Sequence, residues 1–221
     1  MAIKAVVFDL DGLMFNTEDV FHDVGLELLR RRGKVMTLDL VNRMMGRRAH
    51  EALRIMIDEH ALPDTVHELA EETQILFFEL AADRLAPMPG LPALLDFVDG
   101  RGLPKAVATS SSRLYMERIL KQFQLLSRFD ATLTAEDVTH GKPHPEIYLQ
   151  AAGRLGVEPG EMLVLEDSQN GTNAAAAAGA VIVSIPQAHS AHHDFGRASL
   201  IAARLDDPAV LALFGSEEQA G

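Results

Sequence analysis

Residues 3–12, Ile-Lys-Ala-Val-Val-Phe-Asp-Leu-Asp-Gly, decide the fold. Lys4 apart, the run is apolar as far as Phe8, and half of it is β-branched. It then stops at two acidic residues flanking Leu10, and at Gly12. A short apolar run without polar alternation reads as a strand buried on both faces, as in a parallel sheet. Comparable runs recur at 105–109, 131–134, 162–165 and 180–185, with helical patterns between them at 91–99, 114–123, 146–155 and 170–178. Strands alternating with helices imply right-handed βαβ crossovers. The expected fold class is therefore α/β, a doubly wound, Rossmann-like parallel sheet.

One interval breaks that rhythm. Residues 15–85 contain no convincing strand, and helices are expected at 19–32, 38–45, 49–60 and 66–85. That much pure helix inside an α/β chain reads as an inserted all-helical domain. The expected organisation is an α/β core of residues 1–14 and 88–221 and a helical domain of residues 15–87. Asp11-Gly12 and Pro87-Met88-Pro89-Gly90 are the expected hinges. The alanine run 174–178 is expected to be helix in close contact with the sheet, alanine being the best helix former.

Composition narrows the function. The 221 residues include 20 Lys and Arg against 32 Asp and Glu, a formal net charge of −12. So acidic a surface suits neither a phosphate backbone nor an anionic membrane. The chain has no cysteine, which removes disulfides, thiolate metal sites and cysteine nucleophiles. No apolar run approaches a membrane span, and residues 1–10 lack a signal-peptide pattern. A cytoplasmic protein is expected, without nucleic-acid or membrane partners. No long apolar stripe demands a partner subunit, so a monomer is expected.

Open parallel sheets bind ligands beyond the carboxyl ends of their strands. There the sequence places Asp9-Leu10-Asp11-Gly12, then Thr109-Ser110-Ser111-Ser112, then Glu166-Asp167-Ser168, with Gly141-Lys142-Pro143 preceding a helix. Asp9 and Asp11 are two apart, so in a strand their side chains start on one face. Four carboxylates in one crevice repel one another, and a hard divalent cation relieves this. Oxygen-only ligands suit Mg²⁺. Lys142 offers a positive charge to a phosphoryl oxygen, Thr109 a hydroxyl and Ser110 a backbone N–H. These are the parts of phosphoryl transfer, with a carboxylate or a water as nucleophile.

Asp9-x-Asp11-Gly12, Thr109 after a strand, Lys142-Pro143 and Glu166-Asp167 resemble, in order, the four motifs of the haloacid dehalogenase superfamily. The stretches FDLDGLMFNTE, GKPHPEIY and LEDSQNG are similar to the branch containing β-phosphoglucomutases, sugar-phosphate phosphatases and pseudouridine-5′-phosphatase. MGRRAHEAL and PMPG most resemble its pseudouridine-phosphatase-like and hexose-phosphatase-like members.

The resemblance implies a helical cap that closes over the site, excludes water and reads the leaving group. It implies Asp9 as the nucleophile and Asp11 as general acid and then base. Mg²⁺ is implied at Asp9, the Asp11 carbonyl and Asp167, with Glu166 supporting directly or through water. Thr109, Ser110 and Lys142 would hold the phosphate. Asp11 argues against dehalogenase chemistry, since those enzymes lack an acid there.

In the cap, either Arg47 or Arg48, which follow Gly46, is a candidate for the substrate's distal groups. Both together are not expected, because adjacent helical residues diverge by about 100°. Glu18 is a candidate hydrogen-bond partner for a sugar hydroxyl. The plain alternative for the two arginines is a solvated face. Ser111 and Ser112 are expected to cap the next helix. His22, His50 and His60 are expected to be surface or packing residues. His189, His192 and His193 are expected in a surface loop away from the carboxylates.

The expected function is a Mg²⁺-dependent phosphatase for a small phosphate ester, a sugar phosphate or nucleoside monophosphate, working through an aspartyl-phosphate. The alternative is a phosphomutase of the β-phosphoglucomutase type. Three mutase-specific places depart from that pattern: Phe21 where a His is expected, Ala49 for Arg and Ser112 for Lys. A non-catalytic binder on the same scaffold is the third reading, disfavoured because every catalytic position is filled.

Overall fold

The computed structural model describes residues 2–44 and 49–215. Their contacts divide the chain into two compact units, Met1–Phe15 with Pro87–Gly221, and Asn16–Ala86.

The first unit is built on β1 (Ala5–Phe8), β2 (Lys105–Ala108), β3 (Ala131–Leu133), β4 (Met162–Glu166), β5 (Val181–Ser184) and β6 (Leu200–Ile201). They form one sheet in the order β3-β2-β1-β4-β5-β6, and every neighbouring pair is parallel. This is the expected Rossmann-like architecture. The sequence does not mark β6, because two residues are too few to show a periodicity.

β1 is central, and all four of its residues are buried. Val7 packs with Ala106, Val164, Tyr148 and Ala151, under α7 (Glu146–Leu155) and α8 (Gln169–Ala178). Val6 and Phe8 alternate to the other face and are equally inaccessible, so both faces of the sheet are covered. Phe8 meets Phe129 edge-on at 5.9 Å. In α8, Ala174 and Ala175 have no exposed surface, which shows close helix-on-sheet packing. The unit is completed by α5 (Leu91–Gly100), α6 (Arg113–Gln122) and α9 (Pro208–Ala212).

The second unit is all helix among its described residues: α1 (Thr17–Arg31), α2 (Leu38–Met44), α3 (Ala49–His60) and α4 (Val66–Arg84). Thr65 and Glu68 form a reciprocal capping box at the start of α4. Arg32 binds Asp64 and Glu72, both at 2.6 Å. Its ends are tied together where the Asn16 side chain bonds the Arg84 carbonyl and the Ala86 N–H. Among the described residues, no helix is long and apolar enough to cross a membrane.

Candidate active site

The register of the sheet assembles the site. Phe8 pairs with Val107 on one side and Leu165 on the other, so the ends of β1, β2 and β4 lie abreast. Asp9 follows β1 directly, and its N–H donates to the Leu165 carbonyl at 3.0 Å. Glu166 closes β4 and Asp167 follows it. The sequence then turns at Gly12, where φ is +75°. A Cβ there would run into the Asp167 carboxylate and the His189 ring, so both backbone and space demand glycine.

Asp9, Glu166 and Asp167 are buried, and one carboxylate oxygen of each lies within 4.8 Å of the others. Lys142 reaches into this group. Its Nζ donates to Asp9 Oδ1 at 2.5 Å, Glu166 Oε1 at 2.6 Å and the Ala108 carbonyl at 3.0 Å. It also lies 5.1 Å from the centre of the Tyr148 ring.

Glu166 is the most constrained member. Oε1 accepts from Lys142 and from the Tyr148 hydroxyl, and Oε2 accepts from the Asp167 N–H, the Ser168 N–H and the Ser168 hydroxyl. A Cβ at Gly171 would overlap this carboxylate, so the first turn of α8 is shaped around it.

Burial raises the Asp9 carboxyl well above its ordinary pKa. Lys142 opposes this, while Glu166, Asp167 and Asp11 add to it. Asp167 is raised likewise, by burial and then by Glu166. Burial works against the Lys142 ammonium, but Asp9 and Glu166 outweigh it and keep it charged. One ammonium thus faces three carboxylates. The donor set is oxygen only, buried, close and short of positive charge, which fits a hard dication such as Mg²⁺.

Asp11 sits in a cradle of hydroxyls. Oδ2 accepts from Thr109 at 3.1 Å and Ser111 at 2.7 Å, and Oδ1 accepts from Tyr115 at 2.8 Å. The Thr109 hydroxyl also accepts from the Ser111 N–H at 3.0 Å.

The structure thus brings Asp9, Asp11, Thr109, Lys142, Glu166 and Asp167 to one sheet edge, with Ser110 exposed at the end of β2. Glu18 lies exposed in the first turn of α1. Arg47 and Arg48 lie outside the described residues.

Two expectations are corrected. Ser112 does cap α6, but Ser111 spends its hydroxyl on Asp11. His189 is not remote from the carboxylates: Nε2 lies 2.8 Å from Asp167 Oδ2. The loop after β5 returns to the site, which local sequence cannot show. Tyr115 and Tyr148 also reach the site, with hydroxyls on Asp11 and Glu166. Their helical spacing marks them as core, and only the fold shows where their hydroxyls end.

Comparison with known proteins identifies the family. The family profile of haloacid dehalogenase-like hydrolases matches residues 3–179. A phosphorylated carbohydrates phosphatase from Thermotoga maritima is 33% identical over 181 residues, 80% of this chain and 82% of that protein. Hexitol phosphatase B of Escherichia coli K12 is 31% identical over 204 residues, 85% of this chain and 86% of that protein. The crystal structure of a CbbY mutant from Rhodobacter sphaeroides with xylulose-(1,5)-bisphosphate superposes with a TM-score of 0.81, at 25% identity, covering 96% of this chain and 99% of that one. By sequence and fold, the chain belongs to the haloacid dehalogenase-like hydrolases.

Proposed function

We propose that this hydrolase is a Mg²⁺-dependent phosphatase of small phosphorylated metabolites, sugar phosphates or nucleoside monophosphates, acting through an aspartyl-phosphate on Asp9. One observation carries the reading. A buried carboxylate is gripped by Lys142 beside Asp167, and a second acid, Asp11, stands two residues on in a cradle of hydroxyls. The relatives named as carbohydrate and hexitol phosphatases support the substrate class.

The free oxygen of Asp9 attacks phosphorus as the ester bond breaks. Asp11 gives its proton to the departing oxygen, then takes one from the water that attacks the phosphoenzyme, releasing inorganic phosphate. Lys142 offsets charge on the phosphoryl oxygens, and Thr109 and Ser110 orient them. Mg²⁺, held by Asp9, Asp167 and the Asp11 carbonyl with support from Glu166, would neutralise further phosphoryl charge.

The mutase reading has less support. Phe21, at its imidazole position, stacks on Phe77 at 4.5 Å, and Ser112, at its lysine position, caps a helix.

The test is phosphate release from a panel of sugar phosphates, nucleoside monophosphates and an aryl phosphate, with Mg²⁺, with chelator and with Asp9→Asn. Release requiring both Mg²⁺ and Asp9 is expected. Isomerised sugar phosphate without net release would establish the mutase instead, and no turnover of any kind would favour the binder.

A further inference from the structure

The loop that sends Lys142 inward carries two exposed histidines, His140 and His144, and the half-buried Glu146 opens α7 directly after it. His140 Nδ1 lies 3.0 Å from Glu146 Oε2, and His144 Nδ1 lies 3.9 Å from the same oxygen. The two imidazole rings are 4.6 Å apart, and one donor atom from each of the three residues lies within 4.8 Å of the others. Glu146 is fixed from behind, because the Thr139 and His140 N–H groups donate to its two oxygens at 2.9 and 3.0 Å. Its own N–H donates to His144 Nδ1 at 3.3 Å. Such backbone support is what orients a ligating carboxylate. The side chains of His140 and His144 remain 63% and 51% exposed, so a cation can reach them from solvent.

Two imidazoles and one carboxylate are not a magnesium set. They suit a borderline transition-metal ion, with the remaining positions left to water. We propose that His140, His144 and Glu146 form a second, surface site for a divalent cation of the zinc, cobalt or nickel class, separate from the buried carboxylates. Lys142 stands two residues from each histidine, so an ion there pins the loop that presents the ammonium to Asp9 and Glu166. The proposal does not depend on the phosphatase reading.

The experiment is equilibrium dialysis with Zn²⁺ and visible spectroscopy with Co²⁺ on the full chain, with millimolar Mg²⁺ throughout to fill the carboxylate site. The comparison is wild type against His140→Ala/His144→Ala, Asp167→Asn and His192→Ala/His193→Ala. One bound equivalent with nitrogen-ligand Co²⁺ absorption is expected. Its affinity should fall by about tenfold or more in His140→Ala/His144→Ala, since loss of supporting partners alone costs 10–100-fold. It should persist in the other two variants. Absence of binding would overturn the proposal. So would an equivalent that survives His140→Ala/His144→Ala, or one that disappears with Asp167 or with His192 and His193. Because both substituted histidines are exposed, unchanged thermal melting without metal verifies that the variant is folded.

Discussion

At the scale of single residues, the site depends on groups that touch no phosphate. Tyr148 has no exposed surface and gives its hydroxyl to Glu166 Oε1 at 2.5 Å, the oxygen that also receives Lys142. Tyr148→Phe keeps the ring and its packing but leaves a buried carboxylate short of a donor. Loss of a hydrogen bond to a charged buried acceptor costs about 1–3 kcal/mol. The expected outcome is that loss in urea unfolding, with a native-like fold retained. A cost near zero would mean that Glu166 is held by Lys142 and the α8 turn alone. His189 belongs to the same layer. It approaches Asp167 from a loop more than twenty residues further along the chain, so no local motif announces it.

At the scale of elements, Asp137 joins three pieces of the core unit. Its oxygens accept from Arg113 of α6 and Arg154 of α7, and from the Thr134 N–H and hydroxyl after β3. Burial raises its pKa, but the Arg154 and Thr134 bonds, with the Arg113 charge, outweigh that and hold it at about 2. The folded value lies below the ordinary carboxylate value of about 3.9, so the stabilisation is complete above about pH 4 and is lost as pH falls towards 2. Asp137→Asn should therefore cost roughly 1–3 kcal/mol at pH 7, and its deficit should shrink as pH is lowered from 5 to 2. Urea titrations of both proteins across that range measure it. A pH-independent deficit would assign the loss to packing.

The elements themselves were largely legible in the sequence. The fully apolar run ending at Phe8 belongs to a central strand, and such strands carry no competing periodicity. The weaker points have physical causes. β6 is two residues long, and the cradle around Asp11 combines hydroxyls from β2's end and α6 that only the β1–β2 register brings together.

At the scale of the whole molecule, a net charge of −12 gives phosphate esters no general attraction, so in the proposed phosphatase their affinity would be made locally, by Lys142 and the dication that the carboxylates would hold. A ligand that binds only the folded state stabilises it by mass action. At about one hundred times its dissociation constant the gain is about 2.7 kcal/mol, or roughly 5–10 °C in Tm for a chain of this size. Mg²⁺ should therefore raise the melting temperature of wild type by several degrees. The shift should vanish in Asp167→Asn, and its survival there would move the metal away from Asp167. The claim on which the rest turns is the covalent one, that Asp9 carries the phosphoryl group. Borohydride quenching during turnover of the best substrate, followed by peptide mass spectrometry, tests it directly, because reduction of an acyl phosphate converts aspartate to homoserine. Homoserine is expected at position 9 and nowhere else, dependent on substrate and Mg²⁺. Reduction at Asp11 or Asp167 would contradict it, as would brisk phosphate release with position 9 intact.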